Sequence, residues 1–168
     1  MITSKQSYPL NEGEKSRVCV DPEFFDLEIY AIYHAIYDLI GEDTWKIVWR
    51  VGEIVYNEVK DKIGIVGVED PFEVLKKLAD WLKRVGYIED IEVFKVAEDE
   101  IEYVMRNPII SQGAKRLIEE KRVPPHISTA LMFAALKQFN MKAKMVGEPR
   151  FLPDGRIAER WKLFVDNS

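Results

Sequence analysis

Imidazoles and thiols, the groups suited to proton transfer near neutral pH, to nucleophilic attack and to zinc, are few in this chain: two histidines, His34 and His126, and one cysteine, Cys19. His126 follows Pro124-Pro125, with Ser128 and Thr129 beside it. At a helix N-terminus the partial positive charge favours the neutral imidazole, the form that acts as a base or a metal ligand. A zinc site needs three or four ligands, and Cys19 with His126 supplies two unless carboxylates join, so zinc has little support and no cofactor is expected. His34, flanked by Tyr33 and Tyr37, reads as a hydrogen-bonded structural histidine. The phosphate-loop, dinucleotide, zinc-protease and nucleophile-elbow motifs are all missing from the sequence, which removes the main support for those chemistries. No nucleophile, base and orienting group assemble from spacing. No catalytic residue is therefore expected, and a metal-dependent, reductase-like enzyme using His126 stands as the enzymatic alternative.

These residues sit in 168 positions that are 47% hydrophobic and 32% charged, a globular composition of one-domain length. A polar leader, mobile in expectation, spans residues 1–20, and a single domain follows over 21–168. Twenty-four basic against 29 acidic residues give a net charge of −5, which repels nucleic acid. Lys76, Lys77, Lys83 and Arg84 precede a strand pair, as in a winged helix, but Glu73 and Asp80 interleave them and the turn Glu98-Asp99-Glu100 is acidic. A solvated helix face explains them better, and no nucleic-acid partner is expected. No apolar run is long enough for a membrane span or a signal peptide, and a lone cysteine forms no internal bridge, so the expected setting is cytoplasmic. Three Gln, five Asn and one Cys lean toward a thermophilic source.

The elements that position these groups follow from capping and periodicity. Asp21-Pro22 opens a helix to about Ile40, stopped by Gly41. A second helix runs from Asp43-Thr44 to about Lys60 despite Gly52, and a third from Pro71 to about Val85, with Leu75, Leu78 and Leu82 on its inner face. Ile91 to Val96 and Ile101 to Asn107 read as a hairpin. A short helical piece spans Ile110 to Lys121, and a small-residue helix runs from Pro124-Pro125 to about Phe139. Met141 to Met145 and Ile157 to Val165 form a second hairpin around Pro153-Asp154-Gly155. The order predicts an α+β domain: helices packed on an antiparallel sheet of about four strands.

Small residues stand opposite large ones in this pattern. Gly52 lies near Trp49, Gly113 and Ala114 follow the second strand, and Ala130, Ala134 and Ala135 share the late helix. Such an arrangement leaves a cavity between helices and sheet, or else simply packs.

The segments W-x-x-x-W-R-V-G-E (45–53), E-Y-V-M-R-N-P (102–108), P-P-H-I-S-T-A-L-M-F-A-A-L (124–136) and W-K-L-F-V (161–165), taken in this order, resemble the 4-vinyl reductase domain family of small-molecule or hydrocarbon-binding proteins. The resemblance spans about Phe25 to Val165. The layout is similar to the wider fold group of haem nitric-oxide sensors and TRAPP vesicle-tethering subunits. It implies an apolar pocket or channel between helices and sheet, and dimers. The family's second-helix glycine falls on Gly52 and its late helix on His126 to Phe139. Cysteines that many members carry near the C-terminal hairpin are missing between Met141 and Val165, so metal binding does not carry over.

Resemblance and residue pattern together give the expectation of a non-catalytic sensor or carrier domain that binds a small apolar molecule. Trp49, Gly52, Phe72, Leu75, Ala130, Phe133 and Ala134 are expected to border the bound ligand. The helix over 22–40 carries more apolar area than one buried face needs, which predicts a homodimer through it. The non-enzymatic alternative is an interaction or assembly module with a packed interior.

Overall fold

Asp21 caps the first helix by accepting hydrogen bonds from the N–H groups of Glu23 (2.9 Å) and Phe24 (3.0 Å), with Pro22 at the first helical position. The resulting helix α1 (Pro22–Ile40) leads through a 3-10 turn into α2 (Thr44–Val59). Asp70 caps α3 (Pro71–Arg84) through the Phe72 N–H. This computed structural model describes residues 19–166, and the expected leader over 1–20 lies, up to residue 18, outside the described residues.

Gly86 follows α3 at φ +77°. That left-handed turn lets the Tyr87 N–H reach back to the Leu82 carbonyl at 2.9 Å and sends the chain into the sheet. Strands β1 (Ile88–Ala97) and β2 (Glu100–Pro108) form the first hairpin. Ile88 and Ile91 are both buried at an odd spacing, so alternation becomes readable only from Ile91, three residues inside the strand. Helix α4 (Ser111–Glu119) and helix α5 (Ile127–Lys137) precede β3 (Met141–Met145), β4 (Arg150–Phe151) and β5 (Ile157–Val165).

All pairings are antiparallel, in the order β1-β2-β5-β3, with the two-residue β4 also on β5. The α+β arrangement of the sequence reading is thus present. The fifth strand was not legible because two exposed residues carry no period. Helix α3 packs on β1 and α5 on β3, α2 lies across α5, and α1 packs mainly on α4. The main core lies between the sheet and α3 and α5, and includes Leu75, Leu78, Ile88, Ile101, Leu131 and Trp161. No described helix is long and apolar enough to cross a membrane.

Candidate functional site

Helix α1 is fastened along one side by polar contacts to α4 and the turn after it. Asp26 Oδ2 accepts from the Gly113 N–H at 2.8 Å. A Cβ on residue 113 would stand 2.9 Å from Asp26 Oδ1 and 3.0 Å from the Asp26 carbonyl oxygen, so glycine is what lets the two helices close. The Tyr30 hydroxyl donates to Glu120 at 2.9 Å, with Arg116 over the Tyr30 ring at 3.9 Å. His34 Nδ1 lies 3.2 Å from the second Glu120 oxygen, and Arg122 donates to Asp38 at 2.6 Å. The Tyr30 hydrogen bond holds the Glu120 carboxyl below its ordinary pKa, and Arg122 does the same for Asp38.

This rail holds α1 against α4; Tyr33 and Ile29 pack with Val48 of α2 and Ala130 of α5 in a small second core, and beside them an apolar gap stays open toward α3. The result is a cavity of about 410 Å³, within the range of small-molecule sites. Phe25, Ile29, Ile32 and Tyr33 line it from α1; Val51 and Val55 from α2; Trp81 and Leu82 from α3. Val85, Tyr87, Ile110 and the α5 residues Ile127 and Leu131 complete the wall, which holds no charged side chain. Ile32 and Val85 are 45% and 54% exposed and form its lip, whereas Leu82, Ile110 and Leu131 are buried.

Tyr33 and Tyr87 belong to this wall through their ring carbons, and no polar atom is exposed on it. Their hydroxyls are shielded from solvent and have no hydrogen-bonding partner, and Asp26 Oδ1 nearby is likewise unpartnered. Burial pushes both phenols above the ordinary tyrosine pKa, and for Tyr87 the proximity of Tyr33 and the Asp26 carboxylate adds to the effect. Both rings are therefore neutral hydrogen-bonding groups across the physiological range.

The seven residues singled out from the sequence lie elsewhere, and none lines this cavity. Gly52 and Ala130 meet where α2 crosses α5: a Cβ on residue 52 would sit 2.5 Å from the Ala130 Cβ and 2.6 Å from its carbonyl carbon. The small-against-large pattern at Gly52 is thus used for close helix approach. Trp49 stacks on Trp45 (5.4 Å) and meets Phe133 edge-on (5.2 Å), and Phe133 meets Trp161 at 6.0 Å. Leu75 is wholly buried and borders a gap of about 20 Å³, room for a water at most. Phe72 packs against the main core, and Ala134 is buried within it.

His126 is exposed at the start of α5 and stacks on Trp45 at 5.8 Å. Among the described residues no group of three His, Cys, Asp or Glu side chains could hold a metal ion. The lining residues missed from the sequence had one visible signal. Phe25, Ile29, Ile32 and Tyr33 repeat at i, i+4, i+7 and i+8, the stripe of a face that must meet apolar matter.

No protein-family model matches the chain, and no curated protein matches it either. Solved structures do. The Cs H-NOX protein carrying 4-cyano-L-phenylalanine aligns with a TM-score of 0.56 at 17% identity, covering 90% of this chain and 80% of that one. An H-NOX protein from S. oneidensis in the Fe(II)NO state gives 0.54 at 15% identity, covering 90% and 83%. Subunit 3 of the trafficking protein particle complex from Naegleria fowleri, covalently bound to palmitic acid, gives 0.49 at 14% identity, covering 85% and 95%. At these identities the H-NOX likeness establishes a shared fold, in line with the broader of the two resemblances.

Proposed function

We propose that this chain is a non-catalytic binding domain, a sensor or carrier, that takes up a small apolar molecule in the cavity between α1 and the layer of α2, α3 and α5. The observation that carries this reading is a space of about 410 Å³ walled by apolar and aromatic side chains with no charged group. Burying a ligand there gains about 25 cal/mol per Å² of apolar area withdrawn from water. The fold supports the reading, as does the resemblance to 4-vinyl reductase domains, whose membership we propose on the motifs quoted above.

H-NOX neighbours include a structure described in terms of haem distortion, and haem is the group such a fold brings to these residues. It does not fit. Neither histidine nor cysteine lines the cavity, and no Lys or Arg lines it to meet the propionates. His34 is committed to Glu120 and Asp38. Tyrosinate ligation is opposed by the raised pKa of Tyr33 and Tyr87.

A homodimer through α1 belongs to the same proposal. Phe24, Leu27, Leu39 and Ile40 remain 59%, 53%, 83% and 44% exposed on one helix, and exposed apolar groups concentrated in this way mark association surfaces. Native mass spectrometry of the purified full chain tests both parts. The expected spectrum shows a two-chain species and retains an added hydrophobic probe. A probe-free monomer at micromolar concentration contradicts both.

A further inference from the structure

We infer that a second copy of this chain completes the binding site: two α1 helices cross antiparallel at Ala31 and Ala35, and each chain covers the mouth of the other's cavity between Ile32 and Val85. This rests on the cavity being the binding site. It goes beyond a dimer as such, because it makes uptake of the ligand and pairing of the chains one coupled equilibrium.

The cavity wall exposes no polar atom, and its lip, Ile32 and Val85, is open to solvent. Water standing in such a mouth finds no polar group of the wall to bond, and an apolar cover removes that cost. The face of α1 next to the lip is suited to receive one. Leu27, Ala31, Ala35 and Leu39 are all exposed and follow one another at intervals of four, so they form a single row along the helix. At 100° per residue, Tyr30, His34 and Asp38 of the polar rail fall on one flank of this row and Ile32 of the lip falls on the other. Burying the row therefore brings the covering surface alongside the mouth.

The order of sizes in the row points to the occupant. Large, small, small, large reads the same from either end. Laid antiparallel on a copy of itself, the row sets Leu27 against the partner's Leu39 and Ala31 against the partner's Ala35. A two-fold contact requires this self-complementarity, and an unrelated partner does not. The alanines at the centre let the helix axes approach to about 8 Å, with the four-residue rows interdigitating. Glu28 and Asp38 lie on opposite flanks of the row, so in this pairing neither carboxylate is set against the other, and Asp38 is in any case held by Arg122 at 2.6 Å. A two-fold axis through the crossing leaves both lips on the same side of the helix pair, where the two mouths face one another.

The test uses the full chain, the uncharged fluorophore N-phenyl-1-naphthylamine as probe, and sedimentation velocity over the same protein concentrations. Probe affinity is expected to rise about tenfold from the monomer to the dimer range, and saturating probe to tighten the dimer by that factor for each of its two sites, since coupling is reciprocal. Ala31→Arg and Ala35→Glu each place an unpaired charge at the crossing, on exposed positions outside the cavity wall. Each alone is expected to sediment as a monomer and bind the probe about tenfold more weakly, with helix content by circular dichroism unchanged. Mixed one to one, the two variants set opposite charges against each other and should recover both the dimer and the probe affinity. Monomeric variants that bind the probe as the parent does overturn the shared closure and spare the cavity. A mixture that stays monomeric overturns the antiparallel crossing. A parent chain that is monomeric at every concentration and still takes up the probe overturns the second copy as the cover. A folded dimer that binds no probe overturns the cavity reading itself.

Discussion

Replacing Gly52 by alanine sets two known effects against each other at one site. Alanine is favoured over glycine in a helix interior by about 1 kcal/mol, so on propensity alone Gly52→Ala stabilises α2. The added Cβ, however, would lie 2.5 Å from the Ala130 Cβ, 2.6 Å from its carbonyl carbon and 2.7 Å from its carbonyl oxygen. Comfortable carbon contacts begin near 3.5 Å. Two of the three atoms are backbone and cannot rotate away, so α2 and α5 would have to part by roughly an ångström at their crossing. Such overpacking costs about 1–3 kcal/mol, occasionally more. A Cβ forced against backbone that cannot rotate away belongs at the upper end of that range, about 3 kcal/mol, so after the propensity gain of about 1 the expected net loss is about 2 kcal/mol. Urea unfolding followed by tryptophan fluorescence should show a lower midpoint at unchanged slope. Adding Ala130→Gly removes the Cβ contact but leaves the two backbone contacts, so it should recover only part of the loss. An alanine variant as stable as the parent, or more so, would refute the close-approach explanation of Gly52.

Asp21→Ala removes the acceptor for two N–H groups of the first turn of α1 and should cost about 1 kcal/mol in the same urea assay. Burial raises the pKa of the Glu159 carboxyl, so the contribution of this one group to stability slopes downward as pH rises from about 4.3, its unfolded value, through the higher folded value. Glu159→Gln should abolish that slope: its urea midpoint should match the parent's in relative terms near pH 3.5 and gain on it by pH 8, and equal pH profiles would refute the assignment. Leu27→Ser with Leu39→Ser, both at exposed positions of α1, should convert a dimer to a monomer in sedimentation without lowering the thermal midpoint; an unchanged dimer would place the interface elsewhere.

The elements that sequence made readable are those with strong punctuation. Asp21-Pro22 and Asp70-Pro71 start helices through side-chain caps that the structure contains. The span Pro22–Ile40 is found as expected, as are the strands from Met141 and Ile157. β4 was missed because its two exposed residues carry no period, even though the turn at Pro153-Asp154-Gly155 joins it directly to β5. The cavity was harder to read, because its wall gathers side chains from α1, α2, α3, α5 and two connecting segments. Periodicity reports which face of a helix is apolar, but not whether the facing helix arrives close enough to fill it. Gly52 shows the limit from the other side. A helical glycine signals close approach of a neighbour, and whether the neighbour is a ligand or the backbone of Ala130 depends on a crossing that no local pattern encodes.

Methyl NMR of the full chain, titrated with 1-octanol, tests the central claim most directly because it locates the guest by residue. A guest in the cavity gives saturable shifts at Ile29, Ile32, Val51, Val55 and Leu131, which line it, with Leu75, Ala130 and Ala134 little affected. Saturable shifts centred on Leu75, Ala130 and Ala134, or none that saturate, would contradict it.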